Sequence, residues 1–210
     1  MIFSLLNSNP GIAIAFIIAI AIGITIHEFS HALAGYLMGD TTARDAGRLT
    51  LNPIAHLDPL GSIMLLFAGF GWGKPTPYDP GQLKYHRWGP ALVAIAGPIS
   101  NFVGAAVSIG LLIILAPLYP PDNLLIVFLG SLFFINVMLM IFNLIPIPPL
   151  DGSQVLFSLL PARYNNFKYF LAKNGPMILF GLILIDNFSS VSIFGSIYNF
   201  FFSLLGRFLP

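Results

Sequence analysis

The sequence predicts an all-α, polytopic membrane protein with three full spans, several short helices, and a small β-strand or re-entrant element between the first and second spans. Three observations carry this. Hydrophobic residues make up 57% of the 210 and charged residues only 8%, against about 25% charged in an ordinary soluble domain. Apolar runs at 11–38, 90–116 and 123–145 each reach the roughly 20 residues a helix needs to cross hydrocarbon. The connection 71–89 is crowded with glycine, proline and aromatics, among them Trp72, Tyr78, Tyr85 and Trp88, the composition of an interfacial loop. Beside these spans there is no room for a separate soluble domain, so 1–210 reads as a single integral membrane unit.

Asn9-Pro10-Gly11 marks the start of the first helix, and Gly39-Asp40 its end. Ala19-Ile20-Ala21 has the look of a signal-peptide cleavage site, but no Lys or Arg precedes Arg44. Without a charged n-region the run reads as a retained span. Arg48-Leu49-Thr50-Leu51-Asn52-Pro53 alternates like a short strand stopped by proline. Residues 59–70 are apolar but too few to span, which predicts a re-entrant hairpin or a short buried helix. Gly104 and Ser108 put small residues four apart in the second span, suited to close helix contact. Pro146, Pro148 and Pro149 must end the third span. Asp151-Gly152-Ser153 then opens a short helix to Leu160, and two apolar segments follow at 175–185 and 191–208, the first shorter than a span.

Basic residues set the orientation. The 39–89 connection carries Arg44, Arg48, Lys74, Lys84 and Arg87, the 150–174 stretch carries Arg163, Lys168 and Lys173, and the 117–123 turn carries none. The positive-inside rule places the first two in the cytoplasm, and with them the residues around 31 and 151. A net charge of +1 with no basic cluster speaks against nucleic acid as a partner. With no cysteine, disulfides and thiolate metal sites are excluded.

The chemistry is concentrated in Ile26-His27-Glu28-Phe29-Ser30-His31. On a helix, positions i and i+4 share a face, so His27 and His31 can present two imidazoles to one metal ion. Glu28, the only glutamate in the chain, can reach a water in the metal's open position as general base. The alternative, two core histidines and a salt-bridged glutamate, is poor because the segment has no Lys or Arg to pair with Glu28. A third ligand must come from seven Asp residues, His56 or His86. Asp151 is the best placed, since it follows a broken membrane helix, where irregular backbone is tolerated around a buried or watery site. Asp151-x-x-Gln154 is also a capping-box pattern, so a cap is the alternative. The presence of His27 and His31 in the same membrane weighs toward the ligand.

Together with Gly97-Pro98-Ile99-Ser100-Asn101 in the second span and Asn143-Leu144-Ile145-Pro146-Ile147-Pro148-Pro149-Leu150-Asp151-Gly152 after the third, these motifs resemble the site-2 protease family of intramembrane metalloproteases. The likeness covers residues 20–160. Leu51-Asn52-Pro53 and His56-Leu57-Asp58-Pro59-Leu60-Gly61 resemble its compact prokaryotic branch, without a PDZ or CBS domain. The resemblance implies one zinc ion per chain held by His27, His31 and Asp151, with Glu28 as catalytic base. It also implies a three-helix catalytic core over about 11–160, and regulated intramembrane proteolysis of single-span membrane proteins. Pro149-Leu150-Asp151-Gly152 departs from the Asn-Pro-Asp-Gly of some members, leaving the ligand in place while altering the loop around it.

Asn101 and Asn143 are candidates for stabilising the oxyanion or binding substrate, with interhelical hydrogen bonding as the alternative for each. His56 is a candidate to orient a ligand from behind. The 48–52 strand could receive an extended substrate at its edge, or be a plain loop strand. A metal- or proton-coupled transporter is the competing reading, since intramembrane His and Asp and broken helices also mark ion pathways. No inverted repeat is visible, and a transporter has no need of a glutamate between the two histidines. An inactive scaffold is disfavoured by the intact His27, Glu28, His31 and Asp151, and a glutamate-liganded metalloprotease by the lack of a second Glu.

Overall fold

Proline and asparagine place the starts of the long helices. In the computed structural model, which describes residues 2–68, 71–188, 195, 196, 199, 200 and 203, a short helix α1 (Ile2–Ser8) leads into α2 (Pro10–Leu37), whose first position is proline. Proline costs nothing there, because the first turn's N–H groups have no helical acceptor. One turn, α3 (Thr42–Asp45), follows, then α4 (Pro59–Ala68) and α5 (Gly89–Leu115), which again has proline in its first turn. The start of α6 (Leu124–Asn143) is capped by Asn123, whose Oδ1 accepts the Leu125 N–H at 2.9 Å. After the proline-rich break come α7 (Asp151–Leu159) and α8 (Asn165–Phe188).

Helices α2, α5 and α6 pack on one another, and α7 packs on α5. Much of their shared interior is small or polar, with Ala13, Ala19, Thr25, His27, Asn101, Ala105, Ser108 and Asn136 all buried, beside a few larger apolar residues such as Leu112, Phe133 and Val137. Large apolar side chains such as Ile14, Ile18, Phe102, Val107 and Ile114 point outward. In water this inside-out distribution would be costly. In a bilayer it is the expected one, because lipid solvates the apolar surface and small residues let helices approach. The long helices Pro10–Leu37, Gly89–Leu115 and Leu124–Asn143, with the stretch Ala162–Asp186, are long and apolar enough to cross a membrane. The protein is a multi-pass membrane protein.

Two expectations are corrected. Residues 48–52 form no strand; among the described residues the only bridge is the isolated antiparallel pair Leu57–Gly73. The alternation is inverted in space, with Arg48 4% exposed and Leu51 61% exposed. Arg48 turns in because its guanidinium finds the Lys74 carbonyl, while Asn52 folds onto the Ile54 N–H and starts a 3-10 turn at Pro53. Nor do residues 59–68 form a re-entrant hairpin. They are a plain ten-residue helix beside α1, with Leu60, Ile63 and Phe67 exposed. The 175–185 segment belongs to the longer helix α8, which continues through Pro176. Most of 191–208 lies outside the described residues.

Candidate metal centre

The His27 and His31 rings leave α2 one turn apart, with Nε2 atoms 3.0 Å from each other. Asp151, the first residue of α7, brings Oδ2 to 3.2 Å from His27 Nε2 and 3.3 Å from His31 Nε2. The cap alternative for Asp151 has no contact to support it. The cap position is Leu150, and no side-chain capping bond is made there. Two glycines permit the convergence. A Cβ on Gly97 would lie 2.5 Å from His27 Cε1 and His31 Nε2, so only glycine lets α5 lie against the rings. A Cβ on Gly152 would collide with the carbonyls of Leu144 and Ile145, so α7 could not tuck under the end of α6.

Hydrogen bonds on the far side of each ring decide what the near side offers. His31 Nδ1 lies 2.8 Å from the Val93 carbonyl oxygen, which can only accept, so Nδ1 carries the proton. His27 Nδ1 lies 2.6 Å from Asn101 Oδ1. That assignment of the amide follows from its Nδ2, which donates to Asn136 Oδ1 at 2.9 Å and to the Gly23 carbonyl at 3.3 Å. In the neutral imidazoles both Nε2 atoms are then bare lone pairs. They face each other and a carboxylate oxygen that is buried without a hydrogen-bond partner. Three acceptors at 3.0–3.3 Å with no proton between them repel unless a cation joins them. Ligands about 2.0–2.1 Å from one tetrahedral zinc stand about 3.3 Å apart. The triangle fits zinc.

Glu28 points to the neighbouring side of α2. Its Oε2 accepts from the Thr76 N–H at 3.0 Å and the Thr76 hydroxyl at 2.7 Å. Arg48 lies within electrostatic reach of Glu28, but its guanidinium bonds the Lys74 carbonyl; burial lowers its pKa against the opposing pull of the Glu28 charge. Tyr78 lies within electrostatic reach of the cluster: burial and the Asp151 charge both raise its phenol.

Of the other sequence candidates, Asn101 bonds one of the ligand rings, at His27 Nδ1. Asn101 is wholly buried and spends both amide protons on Asn136 and Gly23, which leaves no donor for an oxyanion. The Asn143 amide bonds the Leu139 carbonyl one turn back in its own helix. His56 is fully buried, with its carbonyl accepting from the Lys74 N–H and Nε2 on the Thr50 carbonyl at 2.7 Å, and is not part of the cluster. His86 is exposed. Sequence reasoning passed over Asn136 and Thr76. An asparagine in the middle of the third apolar span was a usable signal for the first. Thr76 gave none, because its partner is 48 residues away.

Comparison with known proteins gives the family. The family model described as Peptidase family M50 matches residues 121–184, which include Asp151. YwhC of Bacillus subtilis (strain 168), provisionally named a zinc metalloprotease, is 42% identical over 151 residues, 69% of this chain and 68% of YwhC. Rip2 of Mycolicibacterium smegmatis, named in the same way, is 34% identical over 160 residues, 71% of this chain but 58% of Rip2. The protease RseP of Photorhabdus luminescens is 34% identical over 103 residues, 45% of this chain and 40% of RseP. No solved structure matches. At 42% identity over two thirds of YwhC, with the family match beside it, this chain belongs to peptidase family M50, the site-2 protease family of metalloproteases.

Proposed function

We propose that the chain is a zinc-dependent intramembrane endopeptidase that cleaves membrane-spanning segments of single-span proteins, in the manner of regulated intramembrane proteolysis. Zinc is its metal, held by His27, His31 and Asp151. The observation that carries the reading is the set of three ligand atoms converging in a buried site, next to the only glutamate of the chain. Bound zinc supplies a Lewis acid that polarises the scissile carbonyl and eases deprotonation of water. Glu28 takes the proton of the attacking water and hands it to the leaving amine. Asn101 holds the His27 ring through Nδ1, and Val93 holds His31. A helical substrate has its carbonyls shielded by hydrogen bonds and must unwind before attack. A groove along α2 lined by Ile18, Ile22, Ile26, Leu51 and Pro53 supports an apolar substrate. The basic connections support a site toward the cytoplasmic side.

The test is zinc quantification on the purified chain together with cleavage of a panel of single-span membrane proteins. Wild type should carry one zinc and cut. Glu28→Gln should keep the zinc and lose turnover, and Asp151→Asn should lose both. Full turnover by Glu28→Gln would remove the general-base assignment. Metal-dependent flux into liposomes with no proteolysis would favour the transporter.

A further inference from the structure

The segment 73–79 lies across Glu28 as a strap fastened at both ends. At one end the Lys74 N–H donates to the His56 carbonyl at 2.7 Å and the Lys74 carbonyl accepts from Arg48. At the other the Asp79 N–H donates at 2.8 Å to buried Asp40, just past the end of α2. Between the anchors run Pro75, Thr76 and Pro77. A proline fixes its own φ and drives the residue before it to extended backbone, so Lys74 and Thr76 are both held extended. The two prolines have no N–H. In the Pro-Thr-Pro stretch the Thr76 amide is therefore the one backbone donor, and it is given to Glu28 Oε2 at 3.0 Å. The Thr76 hydroxyl lies 2.7 Å from the same oxygen and 3.1 Å from the Glu28 carbonyl.

We infer that Thr76 is a positioning residue for the reaction: it fixes the Glu28 carboxylate by one oxygen so that Oε1 stays free to carry the proton. This rests on the general-base reading of Glu28. A glutamate has three side-chain torsions, and a carboxylate left to swing beside a metal would spend much of its time coordinating it or turned away. Two donors on Oε2 remove that freedom, and they come from a strap whose own anchors lie elsewhere. The hydroxyl is the part a substitution can remove without disturbing the strap. Valine keeps the β-branched shape, the extended preference and the N–H, and serine restores the hydroxyl.

The experiment compares full-length wild type, Thr76→Val, Thr76→Ser and Glu28→Gln, purified in detergent and zinc-loaded, on fluorescein-labelled casein. Casein is an unfolded chain, so it needs no unwinding and the assay reads the chemical step. Thr76→Val should lower kcat about tenfold or more, the loss expected for a hydrogen bond to a charged group, with KM within about twofold. Thr76→Ser should recover kcat, and zinc content and unfolding midpoint should be unchanged in all. A Thr76→Val kcat equal to wild type overturns the inference, as does a rise in kcat, which would make the strap an inhibitory clamp. A Thr76→Ser variant as slow as Thr76→Val would also overturn it, since packing and not the hydroxyl would then matter. If Glu28→Gln itself turns over normally, the general-base reading falls. If Glu28→Gln is inactive while Thr76→Val matches wild type, only the positioning role falls.

Discussion

Gly97→Ala tests the centre through a residue that has no side chain of its own. The added Cβ would sit 2.5 Å from His27 Cε1 and His31 Nε2 and 2.6 Å from His31 Cε1. Ordinary carbon contacts begin near 3.5 Å, so about 1 Å of separation must be created between α5 and the ring pair. Neither side can yield cheaply. The rings are both tied at Nδ1 to α5 itself, His31 to the Val93 carbonyl at 2.8 Å and His27 to Asn101 at 2.6 Å, so moving the helix strains the bonds that orient both. Overpacking of this kind costs about 1–3 kcal/mol, and an approximately 1 Å misplacement of reacting groups costs about a hundredfold in rate. Gly97→Ala should therefore fold, hold zinc at least about tenfold more weakly, and cleave about a hundredfold more slowly. The assay is zinc competition against a chromogenic chelator, run beside cleavage of casein and a thermal unfolding scan. Wild-type zinc affinity and turnover in Gly97→Ala would mean that α5 does not lie against the imidazoles, and the site as described would be wrong.

Asn101→Ala removes the partner of His27 Nδ1, 2.6 Å away, and should weaken zinc binding about 10- to 100-fold; unchanged affinity by the same competition would deny it an orienting role. Asp40 anchors the strap and the turn after α2 by accepting from Thr42 and Asp79. Burial raises its pKa, but the hydrogen bonds from Thr42 and Asp79 outweigh that and hold it below the ordinary value. A carboxyl lowered in the folded state stabilises above the unfolded pKa and loses that contribution as pH falls through the folded one. The gap in unfolding midpoint between wild type and Asp40→Asn should persist down to about pH 4 and close below it; a gap constant with pH would refute this. Stripping zinc with a chelator should lower the unfolding midpoint, since three facing acceptors lose the cation between them, and Glu28→Gln should show the same drop.

Local rules were enough for much of the molecule. The i, i+4 spacing of His27 and His31 puts both on one face of any helix that contains them. Pro10 and the prolines at 146–149 constrain the backbone through their own rings, so the start of α2 and the break after α6 needed no tertiary information. Composition announced the membrane. These properties belong to single residues or to neighbours a few positions apart, and they survive whatever the rest of the chain does.

Packing decided the remainder. The alternation at 48–52 reads as a strand only if its arginine faces out, and the Lys74 carbonyl 26 residues on draws it in. Asn101 is placed by His27 and Asn136 together, 74 and 35 residues away. Thr76 reaches Glu28 across 48 residues. Spacing along the chain tells which side chains can share a helix face. Which lone pair each imidazole turns toward Asp151, and what holds the glutamate still, depends on acceptors and donors brought from other helices and loops. Only folding supplies those, because an unpaired polar group in this interior is too costly to leave unmatched.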